Sequence, residues 1–194
     1  MPDKTNPWTT LSTTRHHENR YAGYDEDRVR HRSGREHDHA AIRFKIFGLV
    51  VAPIDAEGQI TLVGQYRYVL NRYTWELPGG SGPVGTDPLE TARRELSEET
   101  GIEAANWLEV LRVAPMAGIA SEVVPAFVAW GLTSGRAHPD PTEALARRNV
   151  LFAEAVSAVL SGEIVDAPSC ALLLALSERA RRSDLPDSLA ALLG

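Results

Sequence analysis

One helix with a clear start and a clear stop constrains the fold of this chain more than any other segment. Asp87 suits the N-cap, Pro88 suits the first helical position, and Glu90 completes a pattern similar to a capping box. Gly101 stands where such a helix would end. Residues spaced by three and four form one apolar stripe along it, namely Leu89, Ala92 and Leu96. The segment therefore predicts an amphipathic helix that buries one face against a core.

Strand patterns lie on both sides of this helix. Runs rich in β-branched and aromatic residues predict strands at 42–51, 60–68, 73–77, 108–114 and 123–132. The first should end at Pro53 before a turn at 55–58, and the glycine- and proline-rich segment 78–83 should be a loop. Two closing helices are expected at about 153–161 and 168–182. Strands mixed with helices indicate a layered α/β fold.

The composition fits one folded domain with a small appendage, because 43% of the 194 residues are apolar. A net charge of -6 argues against nonspecific binding to nucleic acid, which needs a basic face, but it allows a small anionic substrate. The single cysteine, Cys170, is expected to be a core residue in a reducing compartment. Neither a membrane span nor a secretory signal is indicated, so we expect a cytoplasmic protein without membrane partners.

Residues 1–40 form a polar segment that differs from the rest of the chain. Five histidines lie in it, namely His16, His17, His31, His37 and His39. A Ser33-Gly34 pair between charged runs predicts an exposed hairpin. Because the histidines lack the spacing of a zinc site, we favour a solvated hairpin over metal chelation. We expect an N-terminal β extension over 1–40 and a main domain over 41–194.

Three glutamates of the central helix carry the chemical information. Glu95, Glu98 and Glu99 stand at i, i+3 and i+4, so their carboxylates share one helix face. Like charges at this spacing repel, whereas a hard cation such as Mg²⁺ prefers carboxylate oxygens. Arg94 can steady the carboxylates by ion pairing. A charged solvent-facing surface is the alternative, and the glycine-rich segment leading into the helix argues against it.

The segment 80–102 resembles the Nudix box, in which a glycine, a glutamate and the sequence Arg-Glu-apolar-x-Glu-Glu-x-Gly-apolar follow at fixed spacings. The matching residues are Gly80, Arg94, Glu95, Leu96, Glu98, Glu99, Gly101 and Ile102. Thr86 replaces the first glutamate of the box, a position less central to metal binding than the later three. Beyond the box, 63–68, 75–80 and 152–166 resemble the ADP-ribose pyrophosphatase branch of this family, so the likeness extends over about 40–180.

The resemblance implies a fold, a metal and an assembly. The fold would be a Nudix-type α/β/α sandwich with a mixed sheet, preceded by the β extension. The metal would be Mg²⁺, for which Mn²⁺ could substitute, held by Glu95, Glu98, Glu99 and the backbone carbonyl of Gly79. In related enzymes of this branch an N-terminal segment like 1–40 helps to build a homodimer.

The resemblance also implies residues for catalysis and substrate binding. Its general base is often a glutamate on a later loop, for which Glu122 and Glu143 are candidates, with Glu98 or Glu99 as alternatives. A second group of residues would bind the substrate, namely Arg67, Trp75 and Glu76. Arg67 could pair with phosphate oxygens and Trp75 could stack on a base, although aromatic residues in strands more often belong to a core.

The function implied is Mg²⁺-dependent hydrolysis of the pyrophosphate bond of ADP-ribose or a related nucleoside diphosphate sugar. The products would be a nucleoside monophosphate and a sugar phosphate, formed by attack of water on phosphorus. Thr86 and the open identity of the base motivate an alternative, a Nudix-like regulatory module that binds a nucleotide without cutting it. The complete set of three glutamates favours the enzyme.

Overall fold

The computed structural model describes residues 4–135 and 145–193. Ten strands are formed in these residues: β1 (Trp8–Glu18), β2 (Ala22–His31), β3 (Glu36–Phe44), β4 (Ile46–Ile54), β5 (Gln59–Arg67), β6 (Arg72–Glu76), β7 (Gly79–Pro83), β8 (Ile102–Val113), β9 (Val124–Ser134) and β10 (Ala146–Leu151). The same residues contain four helices: α1 (Pro88–Thr100), α2 (Phe152–Leu160), α3 (Ala167–Arg181) and α4 (Asp187–Leu193). None of the helices in the described ranges is long and apolar enough to cross a membrane.

The N-terminal part is an antiparallel sheet in the order β1-β2-β3. The expected hairpin is β2 and β3, joined by a turn in which Gly34 has a φ of 85°. One face carries the buried carboxylates of Asp25 and Asp27 beneath Arg43, whose Nη1 lies 2.6 Å from Asp25 Oδ2. Arg15 also bonds Asp25 and, as the main cause, lowers the pKa of that carboxyl. Ion pairs thus take the place that apolar packing holds in a larger sheet.

The second sheet is mixed and forms the main domain. Its order is β10-β5-β4-β9-β8, with β6 paired to β5 and β7 paired to β4. Strands β4 and β9 run parallel, whereas the other pairs are antiparallel. β4 and β5 pair with each other only at Ile54 and Ile60. Away from this point, residues 46–50 of β4 pair with β7, and residues 63–67 of β5 pair with β6. The sheet therefore divides at this point, and the Gly79–Pro83 strand lies along one branch.

Two apolar cores cover the two faces of this sheet. On one face Leu49, Val51 and Phe127 pack against Ala92 and Leu96 of α1. On the other face the core contains side chains from α2, α3 and α4, namely Phe152, Ala155, Leu172, Leu173, Leu176 and Leu189. The expected stripe of α1 is thus its buried face, and the α/β/α sandwich with a mixed sheet is confirmed. Cys170 packs against the larger core, and burial raises the pKa of its thiol.

Several sequence predictions differ from the structure. The strand expected at 42–51 is two strands in different sheets, separated at Lys45, whose N–H donates to Tyr21 O at 2.8 Å. The range 1–40 consequently stops inside β3, which continues to Phe44. β4 also runs through Pro53, which pairs with Ala129 of β9 on one side and has no registered partner in β5 or β7 on the other side, where no N–H is needed. The expected β extension contains β1 in addition to the hairpin. Two elements were not anticipated because their sequences lack a clear period, namely β10 and α4.

The prediction that 78–83 is a loop is wrong, because Gly79–Pro83 forms β7. The strand pairs with β4 through backbone groups, which glycine supplies as well as any residue. A Cβ at Gly79 would clash with the Leu49 carbonyl oxygen and lie 3.2 Å from Val50 Cα. Glycine is therefore present here because β7 and β4 approach closely, and not because the chain turns.

Candidate active site

Helix α1 places three carboxylates beside strand β7. Asp87 Oδ1 accepts the N–H of Leu89 at 2.9 Å, and Gly101 ends the helix with a φ of 70°. Both predicted helix ends are therefore confirmed. Leu96 and its neighbours on the apolar stripe fix the rotation of the helix, so the opposite face carries Glu95 and Glu98, with Glu99 at its margin and buried.

Backbone amides of β7 hold two of these carboxylates. Gly79 N donates to Glu99 Oε2 at 2.9 Å, and Ser81 N donates to Glu95 Oε1 at 3.2 Å. Between them, a Cβ at Gly80 would lie 2.5 Å from Glu95 Oε1, which is inside ordinary contact distance. The first glycine of the box is therefore required so that Glu95 can approach the strand. The two box residues Gly80 and Glu95 therefore depend on each other, because the missing side chain of one makes room for the carboxylate of the other.

Arg94 joins the remaining carboxylate to this group. Its Nη1 donates to Glu98 Oε2 at 2.6 Å, and its Nη2 donates to Glu95 Oε1 at 2.7 Å and to Ser81 O at 3.1 Å. Partial burial alone would lower the pKa of Arg94, but the two carboxylates outweigh it and raise that pKa. The guanidinium thus offsets the repulsion that the three glutamates would otherwise exert on one another.

The carboxylates of Glu95, Glu98 and Glu99 are chemically suited to bind a divalent cation. Carboxylate oxygens are the donors that Mg²⁺ prefers, and β7 aligns two of the three glutamates with amides. Among residues 4–135 and 145–193, no three His, Cys, Asp or Glu side chains stand together as a preformed metal cluster. At this site the carboxylate of Glu98 is paired with Arg94. Because 44% of the Glu98 side chain is exposed, it can rotate towards a cation.

Of the two loop carboxylates suggested by sequence, Glu122 lies beside β4, at a residue that pairs with β7. Gly48 N donates to Glu122 Oε1 at 3.1 Å, and Gly48 pairs with Ser81 of β7. A Cβ at Gly48 would be 3.0 Å from Glu122 Oε1 and 3.9 Å from Gly80 O. Glu122 therefore lies close to the strand that binds Glu95. Glu143 lies outside the described residues.

The three residues expected to bind substrate lie on the β5–β6 hairpin. Arg67 Nη2 is 2.9 Å from Glu76 Oε1, and Glu76 is buried whereas about half of Arg67 is exposed. Burial is the main cause that raises the pKa of Glu76, and Arg67 acts against it. Arg67 is thus oriented by a buried carboxylate while part of its guanidinium remains open to solvent.

Trp75 is covered on both sides. It lies over Gly64, where a Cβ would be 2.9 Å from its ring carbons, and Arg148 stands 4.3 Å from the ring centroid. Trp75 thus packs against other residues of the protein, as the sequence analysis expected of most aromatic residues in strands. Tyr66 and Tyr68, in contrast, are exposed, Tyr68 by 89%.

A cavity of about 380 Å³ adjoins Glu122. Its lining includes Phe44, Phe47, Thr86, Arg112 and Val123. Thr86 Oγ1 donates to Pro83 O at 2.8 Å, so the residue that replaces the first box glutamate closes the turn between β7 and α1. Sequence reasoning missed Gly48 and Ser121. A single glycine inside an apolar strand pattern often marks a place where another group approaches the backbone closely, and Gly48 carried that signal.

A mixed sheet between helices, with glutamates of one helix bound to the backbone of a glycine-rich strand, defines a class of α/β/α sandwich proteins with a carboxylate-lined helix. Residues 47–167 match the family model of the NUDIX domain, and the chain belongs to this family. The matched range contains β4–β10 together with α1 and α2, and therefore every candidate site residue named above.

Relatives of known activity support this assignment. The chain is 38% identical over 134 residues to an ADP-ribose pyrophosphatase of Mycobacterium tuberculosis, covering 67% of this chain and 65% of that protein. It is 33% identical over 121 residues to an ADP-ribose pyrophosphatase of Bacillus subtilis, covering 61% of this chain and 65% of that protein. The chain thus spans just under two thirds of the length of these relatives.

A solved structure shares the whole fold. The crystal structure of an ADP compounds hydrolase superposes with a TM-score of 0.82, covering 94% of this chain and 100% of that chain. The sequences are 17% identical, so this likeness concerns the fold. It includes the N-terminal sheet, since 94% coverage leaves few residues outside the match.

Proposed function

We propose that this protein is a Nudix pyrophosphohydrolase that cleaves the pyrophosphate bond of ADP-ribose or a related nucleoside diphosphate sugar. The observation that carries the proposal is the placement of Glu95 and Glu99 against the backbone of β7, with Glu98 on the same helix. Similarity to two ADP-ribose pyrophosphatases supports the choice of substrate class. The products are a nucleoside monophosphate and a sugar phosphate.

The residues divide the work between them. Glu95, Glu98 and Glu99, with the backbone carbonyl of Gly79, would hold Mg²⁺ or Mn²⁺. When bound, such an ion acidifies water and stabilises charge on the phosphate oxygens. Arg67, oriented by Glu76, would bind a phosphate group in bidentate fashion.

Glu122 is our candidate for the general base. Its carboxylate is bound to Gly48 N and lies close to β7, so it can accept a proton from a water molecule near the glutamate cluster. Glu143, Glu98 and Glu99 remain alternatives for this role. Trp75 is a weaker candidate for substrate contact than Arg67 and Glu76, because Gly64 and Arg148 cover its ring.

The test is a substrate panel read by product identity. ADP-ribose, several nucleoside diphosphate sugars, dinucleotides and nucleoside triphosphates are incubated with Mg²⁺, and the products are separated by chromatography. AMP and ribose 5-phosphate from ADP-ribose are expected. Glu99→Gln should abolish turnover, whereas Glu90→Gln, on the exposed face of the same helix, should retain it. Equal activity of both variants would refute the site.

Thr86 favours a second candidate function, a Nudix module that binds nucleotide without cutting it. The residue stands where the box has a glutamate and is bonded to Pro83 O. The same panel separates the two functions when binding is measured by calorimetry alongside turnover. Tight binding of ADP-ribose with no product from any substrate would establish the binding module.

We also propose a homodimer in which the N-terminal sheet takes part, in a cytoplasmic protein. All of β1 is exposed, and Trp8, Leu11 and Tyr24 are large apolar side chains among its exposed residues and those of β2. Light scattering on the full chain at micromolar concentration should give twice the chain mass. Leu11→Asp should reduce it, whereas a monomeric parent would remove the proposal. The full chain is needed because a start near residue 41 would cut β3.

A further inference from the structure

The outer edge of β3 is paired with the segment that precedes Glu122. Ile42 N donates to Ile119 O at 2.7 Å, and Ser121 N donates to Ile42 O at 3.0 Å. Phe44 N donates to Ser121 Oγ at 3.1 Å. An edge strand otherwise presents unpaired amides and carbonyls, and these three bonds satisfy such groups at the end of β3 that precedes Lys45. They also attach segment 119–121 to the N-terminal sheet.

Glu122 is consequently fixed from two directions. Its backbone follows Ser121, which is bonded to β3, and its carboxylate accepts from Gly48 N of β4 at 3.1 Å. The two supports belong to different sheets. The position of the carboxylate therefore depends on how the N-terminal sheet sits against the main domain.

The junction between these sheets is itself bonded. Lys45 lies between β3 and β4, and its N–H donates to Tyr21 O at 2.8 Å. Its carbonyl accepts from Val84 N, at the end of β7, at 3.0 Å. The N-terminal sheet thus contacts both the Glu122 segment and the turn that leads into α1.

We propose that Ser121 is a positioning residue for Glu122, and that strand β3 thereby sets the place of this carboxylate beside β7. The inference rests on the proposed function, in which Glu122 acts on water. Two of the three bonds to β3 come from backbone groups that any residue except proline supplies. The third requires an acceptor atom in the side chain, which the Ser121 hydroxyl supplies, so it is the part of the attachment that the amino acid at 121 determines.

The proposal gives the N-terminal sheet a role inside its own subunit. Assembly of a dimer needs only an exposed surface, whereas the bonds to Ile42 and Phe44 lie on the edge of β3 beside the cavity that Glu122 lines. Phe44 and Ser121 line that cavity together with Glu122. Displacement of β3 would therefore change the cavity and the carboxylate together.

The test compares Ser121→Ala with Ser121→Thr in the full-length protein, with Ser157→Ala as the matched control. Ser157 is an exposed serine whose hydroxyl also makes one bond to backbone, in α2. Ser121→Ala should lower kcat on ADP-ribose by about three- to tenfold, the range expected for one hydrogen bond, with KM within about twofold. Ser121→Thr, which retains the hydroxyl, should restore kcat, and Ser157→Ala should match the parent.

Amide hydrogen exchange supplies a readout that does not require activity. In Ser121→Ala, the amides of Phe44 and Gly48 should exchange faster than in the parent, because one loses its acceptor and the other bonds a loosened carboxylate. Unchanged exchange at Gly48 together with an unchanged kcat would overturn the proposal.

Failure of the proposed function gives a different result. If Glu122→Gln keeps the parent's kcat while Ser121→Ala speeds exchange at Gly48, Ser121 positions Glu122 but this carboxylate is not the base. If Ser121→Ala lowers kcat and Ser121→Thr does not restore it, the hydroxyl is not responsible and the positioning role is refuted.

Discussion

Replacement of Gly80 by alanine should weaken metal binding strongly with little effect on the fold. A Cβ at this position would lie 2.5 Å from Glu95 Oε1, whereas ordinary contacts begin at 3.4 Å. The carboxylate must therefore move by roughly 1 Å, and it would lose the bond from Ser81 N. Since the atom displaced is the end of a flexible side chain, the free energy of unfolding should change by less than about 1 kcal/mol.

The loss of Mg²⁺ affinity should be much larger. Disturbing groups that orient a metal ligand typically costs about 10- to 100-fold in affinity, and here a proposed ligand is itself displaced. Isothermal titration calorimetry with Mg²⁺, in the presence of a nonhydrolysable nucleotide, measures this directly. Urea unfolding of the metal-free protein measures the free energy of unfolding.

Gly79→Ala is the matched comparison, because its Cβ would meet the backbone of Leu49 and Val50 in β4. Backbone cannot rotate away, so this variant should lose about 1–3 kcal/mol of stability. At this chain length that loss lowers Tm by about 2–12 °C. The reasoning is refuted if Gly80→Ala binds Mg²⁺ as tightly as the parent, or if both variants are destabilised alike.

Four further outcomes are expected. Glu98→Gln and Glu99→Gln should each lose most turnover in a Mg²⁺ assay while circular dichroism shows an intact fold, because the amide lacks the charge that a hard cation needs. Saturating Mg²⁺ with a nonhydrolysable nucleotide should raise Tm, since ligand bound to the native state stabilises it; an unchanged Tm would count against the site. Thr86→Glu should leave kcat at saturating Mg²⁺ within a few-fold of the parent and lower the Mg²⁺ concentration needed for half activity. An inactive parent together with an active variant would instead support the binding module. Burial raises the pKa of Glu76, so the folded state binds this proton more tightly than the unfolded chain does. The contribution of Glu76 to the free energy of unfolding is therefore greatest below the ordinary glutamate pKa and falls as pH rises through the raised pKa. Urea unfolding at a series of pH values from about 4 upwards, where an ordinary glutamate begins to ionise, should show a smaller fall of stability in Glu76→Gln, and an identical slope would contradict the assignment.

The parts of the fold that sequence predicted best are those with local physical causes. Helix α1 has a cap at Asp87, a stop at Gly101 and a periodic apolar stripe, so both its ends and its buried face could be predicted from the sequence. The three glutamates share its outer face because their spacing follows from the helical period. The NUDIX match and the structural likeness confirm the family and fold that the box residues implied.

The parts that sequence missed depend on contacts between distant segments. β7 is a strand because β4 lies beside it, and nothing in the run of glycine and proline at 79–83 shows that partner. The division of 42–51 at Lys45 likewise depends on Tyr21, far away in the chain. The bond of Ser121 to β3 joins residues 77 positions apart, so no local pattern could have indicated it. The assignments of base and substrate residues stay predictions.

Arg94 also acts as a counterion for the glutamate cluster. Its guanidinium pairs with Glu95 and Glu98, so the folded chain carries a cation of its own beside these carboxylates. A divalent ion taken up by these glutamates would exchange one cation for another. The free energy released by the incoming ion would then be reduced by that of the arginine contacts it replaces, so the affinity for metal would be lower than that of unpaired carboxylates.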